Sequence, residues 1–262
     1  MTDTSLPYNK GLSGLIEPHR SYRRLPVKAT GALVTIPVVL IVELAVLLFA
    51  QTGLNWISAV AQLIAKDEGI TARTFDDPFL VFTLHPMTFA MHHHTWIELV
   101  IIALVALIGI ILVTITTKIA SPLRFFINLN VLIVGGAAVF LLLAGHLGYD
   151  SYAFSQLMMR TAILTWLVLP FFLGLFSALF PFSIIERFAL IAITVAYDVP
   201  LAIVRYACFI GILGKTGPVM MTDLYLVFGP LLDALPVTCF LILVLLRVSR
   251  TLDKRRSVWG WF

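Results

Sequence analysis

The sequence predicts an all-α fold: a polytopic membrane bundle of six transmembrane helices, with an outer segment that re-enters the membrane or lies at its surface. Three observations predict it. Of 262 residues, 60% are hydrophobic and only 12% are charged, and the mean hydropathy is +1.00. An average soluble domain carries about 25% charged residues and about 45–50% apolar ones. Six apolar runs each reach the roughly 20 residues needed to cross about 30 Å of hydrocarbon. The Lys and Arg residues gather on one side of those runs.

There is too little polar sequence here to coat a soluble globule of this length. The composition therefore excludes a soluble enzyme, a disordered chain and a nucleic-acid module, even with a formal charge of +4 and a pI of about 9.2. The expected partners are the lipid bilayer and other membrane proteins of the cell envelope, with no nucleic acid. The expected location is a bacterial cytoplasmic membrane. Cys208 and Cys239 both lie in apolar runs, so neither a disulfide framework nor a zinc knuckle is read from them.

The predicted spans are Ala29–Ala50, Trp96–Thr117, Phe125–Gly145, Thr161–Phe182, Phe188–Leu213 and Leu224–Leu246. The first starts late, is long and lacks a small-residue cleavage box, so it reads as a retained span and not as a signal peptide. With the N-terminus inside, the cytoplasmic side holds Lys10, Arg20, Arg23, Arg24, Lys28, Lys118, Arg124, Arg187, Arg247, Arg250, Lys254, Arg255 and Arg256. The outer side holds only Lys66, Arg73, Arg160 and Lys215. That 13-to-4 asymmetry puts both termini in the cytoplasm. The chain divides into a cytoplasmic segment (1–28), a membrane domain (29–246) and a basic tail (247–262) ending in Trp259 and Trp261. The tail reads as an anchor to anionic headgroups. Ser183, three residues before Glu186, has the spacing of a capping box.

Residues 51–95 form the long outer segment. Leu54, Ile57, Val60, Ala61 and Ile64 fall on a helical stripe. Such a helix either continues the first span or lies in the interface. Two polar breaks follow, Lys66-Asp67-Glu68-Gly69 and Asp76-Asp77-Pro78. The apolar run from Pro78 to Met91 is too short to span, which predicts a re-entrant or interfacial piece.

Two groups of polar residues stand out. His92, His93 and His94 are consecutive and Glu98 follows, while His85 and His146 map to the same outer side. Neutral imidazole is the commonest metal ligand, and a carboxylate can join or orient it. His85, His92, His94, Glu98 and His146 are therefore the candidate ligands for a metal ion, with zinc, copper and iron chemically open. Adjacent histidines on a helix point about 100° apart, so three in a row cannot grip one ion. No H-E-x-x-H signature is present. The bland reading is a set of imidazoles at headgroup level.

The second group lies inside the spans: Glu43, Asp198, Arg205 and Asp233. Ionisable groups there cost about 2.5–3.5 kcal/mol each near the centre and face the bundle interior. Arg205 and Asp233 sit at matching depths on consecutive spans, which predicts that they pair. Asp198 lies two turns deeper on the face of Arg205, where it either bonds a Tyr or Thr or holds a proton. Glu43 reads as an isolated, neutral carboxyl. Pro200, Pro230 and Pro236 break helices beside these charges. The structural alternative is an ion pair that only fixes helix register.

The stretch Glu186-Arg187-Phe188 and then Pro200-Leu201-Ala202-Ile203-Val204-Arg205-Tyr206-Ala207 resembles the second half of the exosortase and archaeosortase family. These are membrane enzymes of transpeptidase type. The resemblance runs from the fourth span onward and matches Arg205 to the family's Arg. It also matches the rhythm of the loop Gly214–Thr222 and of Asp223-Leu224-Tyr225. The family's Cys has no counterpart among Met158, Met159, Arg160 and Thr161. Its His has none at Asp223 or Tyr225. The resemblance therefore implies a relative without transpeptidase activity.

Three function classes follow. The preferred one is a non-enzymatic subunit of an envelope assembly for secretion, conjugation or polysaccharide export, because there is no large soluble domain, no phosphate-binding loop and no catalytic signature. A small transporter would use Asp198, Arg205 and Asp233. A membrane-embedded enzyme would use the outer histidines and Glu98.

Overall fold

The computed structural model describes residues 29–116, 118–145, 150–180 and 182–254. The N-terminal segment (1–28), His146 and the Trp-bearing end of the tail lie outside them. The described chain is mostly helical. The long helices are α1 (Ala29–Asp67), α2 (Trp96–Ile115), α3 (Ser121–Ala144), α4 (Ser151–Ala178) and α5 (Ile184–Thr216). After α5 come a 3-10 turn (Gly217–Met220), the short α6 (Met221–Asp223), a π-helical turn (Leu224–Phe228) and α7 (Gly229–Lys254).

Five helical stretches are long and apolar enough to cross a membrane. The last is a run of 64 residues, Ile184–Arg247, which doubles back on itself. Arg205 reaches the carbonyl of Gly229 at 2.8 Å, whereas 24 residues of straight helix would separate them by about 36 Å. Large apolar side chains cover the outer faces: Leu143 is 84% exposed and Ile115 is 71% exposed. Surfaces of that kind suit lipid, where exposed apolar groups carry no penalty.

The helices alternate in direction. Lys215 at the end of α5 meets Glu68 just past α1 at 2.5 Å. At the other end, Arg187 near the start of α5 donates to Thr35 near the start of α1, so these two helices are parallel. Arg247 of α7 reaches Glu186 at 3.5 Å, so α7 returns to the end where α1 begins. Helix α4 runs against α1, and the two touch closely at Gly174. A Cβ there would lie 2.3 Å from Val39 Cγ2, which only glycine avoids.

The outer segment departs from the all-α expectation. Residues 51–67 continue α1 without a break. At 39 residues the helix is about 58 Å long, well beyond a bilayer core. Of the expected stripe Leu54, Ile57 and Ala61 are buried and Val60 and Ile64 half-buried, and Ala65 is buried beside them. Beyond it lie four short strands: β1 (Ala72–Thr74), β2 (Asp77–Phe79), β3 (Phe82–Leu84) and β4 (Met87–Phe89). They pair antiparallel as β1 with β4 and β2 with β3, which nests one hairpin inside another. In Phe82-Thr83-Leu84 and Met87-Thr88-Phe89 the outer residues are buried and the central threonine is not. That alternation has period two, the signature of a half-buried strand. Ser155 and Ser151 of α4 accept the backbone N–H groups of Met87 (2.7 Å) and Phe89 (3.1 Å). The segment is thus a β cap fastened to the helices.

Helix boundaries also moved. Helix α4 begins ten residues before the predicted span, because Asp150 caps it by accepting the N–H of Ala153 at 2.7 Å. Helix α5 starts where expected: Ser183 and Glu186 form the reciprocal capping box.

Candidate functional site

Of the predicted metal ligands, the structure brings His92, His94 and Glu98 together, with one ligand atom from each inside a 4.8 Å radius of the others. The backbone explains why. Helix α2 starts only at Trp96, with Thr95 as an extended N-cap. His92 to His94 therefore precede the helix on non-helical chain. Off the helix the 100° spacing of neighbours does not hold, and His92 and His94 both reach Glu98. The helical divergence expected from the sequence does not apply. Their rings meet edge to face, with centroids 5.0 Å apart.

Glu98 is fixed by a capping box, its Oε2 accepting the N–H of Thr95 at 2.9 Å. The same oxygen lies 3.4 Å from His92 Nε2 and 3.5 Å from His94 Nδ1. These distances are long for hydrogen bonds. They match the ligand–ligand edge of a coordination tetrahedron, about 3.3–3.4 Å for metal–ligand bonds of about 2.0–2.1 Å.

The other nitrogen of His94 is engaged. Nε2 lies 2.7 Å from the carbonyl oxygen of Thr216. A carbonyl only accepts, so Nε2 carries the hydrogen and Nδ1 keeps its lone pair. A backbone carbonyl behind a histidine is a common way to fix the tautomer of a metal ligand. The contact requires Gly217: its φ is +67°, and a Cβ there would sit 2.3 Å from the His92 carbonyl oxygen and 2.9 Å from His94 Nε2. His94 is nearly covered, while the side chains of His92 and Glu98 are 48% and 43% exposed. The cluster therefore opens outward on one side.

His85 does not join this cluster. Its Nδ1 pairs with Asp76 at 2.8 Å, on the loop between β1 and β2. His146 lies outside the described residues.

The intramembrane group also resolves into parts. Arg205 and Asp233 form an ion pair, and Arg205 Nη1 also donates to the Gly229 carbonyl. Arg205 is buried and Asp233 half-buried. The chain reverses between them at Gly217, where φ is +67°, and the π-helical turn lies on the returning arm just before Gly229-Pro230. Asp198 is 1% exposed. Its Oδ1 takes no hydrogen bond, so the expected bond from a Tyr or Thr is not made to that oxygen. Trp166 Nε1, also buried, lies close to this carboxyl without completing a regular hydrogen bond. Glu43 lies apart on α1, half-buried, with Oε2 unpartnered.

Sequence reasoning missed two polar features. One is the Ser155 hydroxyl, held between the Met87 N–H and the Tyr206 hydroxyl; a lone serine in an apolar run gives no signal. The other is Asp77, which accepts from Arg160 at 3.1 Å and from Gln156 at 3.0 Å. Arg160 also covers the Phe79 ring. No protein-family model, curated protein or solved structure matches the chain.

Proposed function

We propose that the chain crosses a bacterial cytoplasmic membrane six times, with both ends inside, and that its outer face carries a transition-metal site formed by His92, His94 and Glu98. The observation that carries the site is the convergence of two imidazole nitrogens on one carboxylate oxygen, with both oxygen–nitrogen distances close to a tetrahedral edge, and with the Thr216 carbonyl setting the tautomer of His94. Three protein ligands with one open side suit a zinc-like ion that keeps a water or a partner's donor in its fourth position. Its biological role, on this reading, is that of a subunit in an envelope assembly. Kinship with exosortases belongs to the same proposal. It rests on the match of Arg205 and on the rhythm of the loop Gly214–Thr222.

The six-crossing reading is supported by the doubling back of the last helical run and by the alternating helix directions. The starts of α1 and α5 and the end of α7 share the end of the molecule predicted to be cytoplasmic. A transporter reading is favoured by one specific observation, the buried Asp198 carboxyl, whose Oδ1 takes no hydrogen bond, near the Arg205–Asp233 ion pair.

The test is metal content. Full-length protein purified without chelator and then loaded with Co2+ or Zn2+ should hold one ion per chain. His92→Ala and Glu98→Gln should each abolish stoichiometric binding, while His93→Ala should not. Glu98→Gln suits this purpose because glutamine also closes a capping box, so the helix start survives. Binding that is unchanged in both ligand variants would refute the site.

A further inference from the structure

A cavity of about 610 Å³, open on one side, lies between α2, α3 and the π-helical turn. It falls within the roughly 300–1,000 Å³ of small-molecule sites. Its walls are apolar side chains such as Ile102, Val105, Val131 and Phe228, with Gly109 leaving space on α2. Two polar residues interrupt them, Asn130 and Asp223.

Both carry an unsatisfied acceptor oxygen that is itself enclosed. Asp223 is 2% exposed, and its Oδ1 is buried with no hydrogen bond. Asn130 spends its amide N–H on the Phe126 carbonyl at 2.6 Å, leaving Oδ1 buried and unpartnered. A buried acceptor without a donor costs about 1–3 kcal/mol. Two lining one cavity call for a donor that the chain does not supply among its described residues.

Packing fixes the depth. Val219 clusters with Ala138 and Leu141 of α3, and Phe228 meets Phe126 edge to face with ring centroids 6.3 Å apart. The turn therefore runs antiparallel along α3, and Asp223 lies level with the middle of that helix, about one turn from Asn130. At that depth a charged head is costly, whereas a neutral hydroxyl is not. The π-helical turn adjoining Asp223 is itself a form frequent at functional sites.

We propose that this cavity binds a membrane-soluble alcohol, an apolar chain with a neutral hydroxyl head that donates its hydrogen to Asp223. The chain lies along the apolar wall formed by α2 and α3, and the Asn130 carbonyl is the neighbouring acceptor. The site is independent of the metal cluster.

The test uses a matched pair of probes, 1-hexadecanol and 1-methoxyhexadecane, which share length and lose only the donor. Native mass spectrometry of the detergent-purified full chain reads adduct formation. The alcohol should be retained about tenfold over the ether, since a site built to accept a hydroxyl hydrogen discriminates against its absence. Asp223→Leu should erase the preference, and Asp223→Asn, which keeps an acceptor, should retain it. Gly109→Leu, which fills the cavity, should lower retention of both probes. Equal retention of the two probes by the natural chain, a preference that survives Asp223→Leu, or a Gly109→Leu chain that still holds both would each overturn the proposal. If Asp223→Leu does not fold, the probe pair and Gly109→Leu still decide.

Discussion

His94 and Thr216 are 122 residues apart in sequence and are joined by a hydrogen bond of 2.7 Å. The bond ties the approach to α2 onto the end of α5, and the only side of Gly217 on which a Cβ could sit is already filled by the His92–His94 backbone and ring. Gly217→Ala should therefore act twice. It strains a φ of +67° and pushes the histidine segment off the helix end. The expected loss of stability is about 1–3 kcal/mol, read as a lower Tm in detergent. Metal affinity should fall with it. An alanine variant that melts and binds metal like the parent would show that this packing is absent in solution.

The alternation of helix directions makes a prediction about access. With Cys208 and Cys239 replaced by serine, Arg73→Cys should be labelled in intact cells by a membrane-impermeant maleimide. Lys118→Cys should be labelled only after the membrane is opened. Arg73 belongs to the β cap and Lys118 to the short turn between α2 and α3, so the two report on opposite ends of the bundle. Labelling of both from outside is incompatible with six crossings.

The β cap depends on Ser155. Its hydroxyl accepts the buried N–H of Met87 and bonds Tyr206. Ser155→Ala leaves both groups without that partner, a cost of about 1–3 kcal/mol. The amide of Met87 should exchange its hydrogen markedly faster, while amides in the middle of α3 keep their protection. Unchanged exchange at Met87 would mean that the cap is held by apolar packing alone.

What was legible in the sequence follows physical scale. A span writes itself into about 20 residues of hydropathy, so every long helix was found, and the capping box of α5 was read from two residues, Ser183 and Glu186. The start of α4 was not found, since a hydropathy window averages away a single Asp150 cap. The β cap was missed because three-residue strands carry too few alternations to outweigh an apolar run. The pairing of Arg205 with Asp233 was legible from depth alone. His92, His94 and Glu98 were readable as candidate ligands of one ion, but the way the two histidines meet was not, because it hinges on the chain there being non-helical, and that is decided by the Thr95 cap.

The ion pair between Arg205 and Asp233 offers the sharpest test of what the buried charges do. Arginine stays protonated and must be compensated wherever it is buried. Removing one partner strands the other, at a cost of about 3–5 kcal/mol by analogy with soluble proteins. Arg205→Ala and Asp233→Ala should each sharply reduce folded yield, measured by size-exclusion chromatography. The double variant removes both charges and should recover much of that loss. Asp198 behaves differently. Its Oδ1 has no hydrogen bond to lose, so Asp198→Asn should leave yield and Tm unchanged or raise them. If the three residues only fix helix register, the double variant regains whatever activity the assembly shows, along with its yield. If they carry a proton or a substrate, yield returns and activity does not, and Asp198→Asn alone abolishes activity in a protein that folds normally. Strictly additive losses in the two single variants would mean that the guanidinium and the carboxylate do not meet.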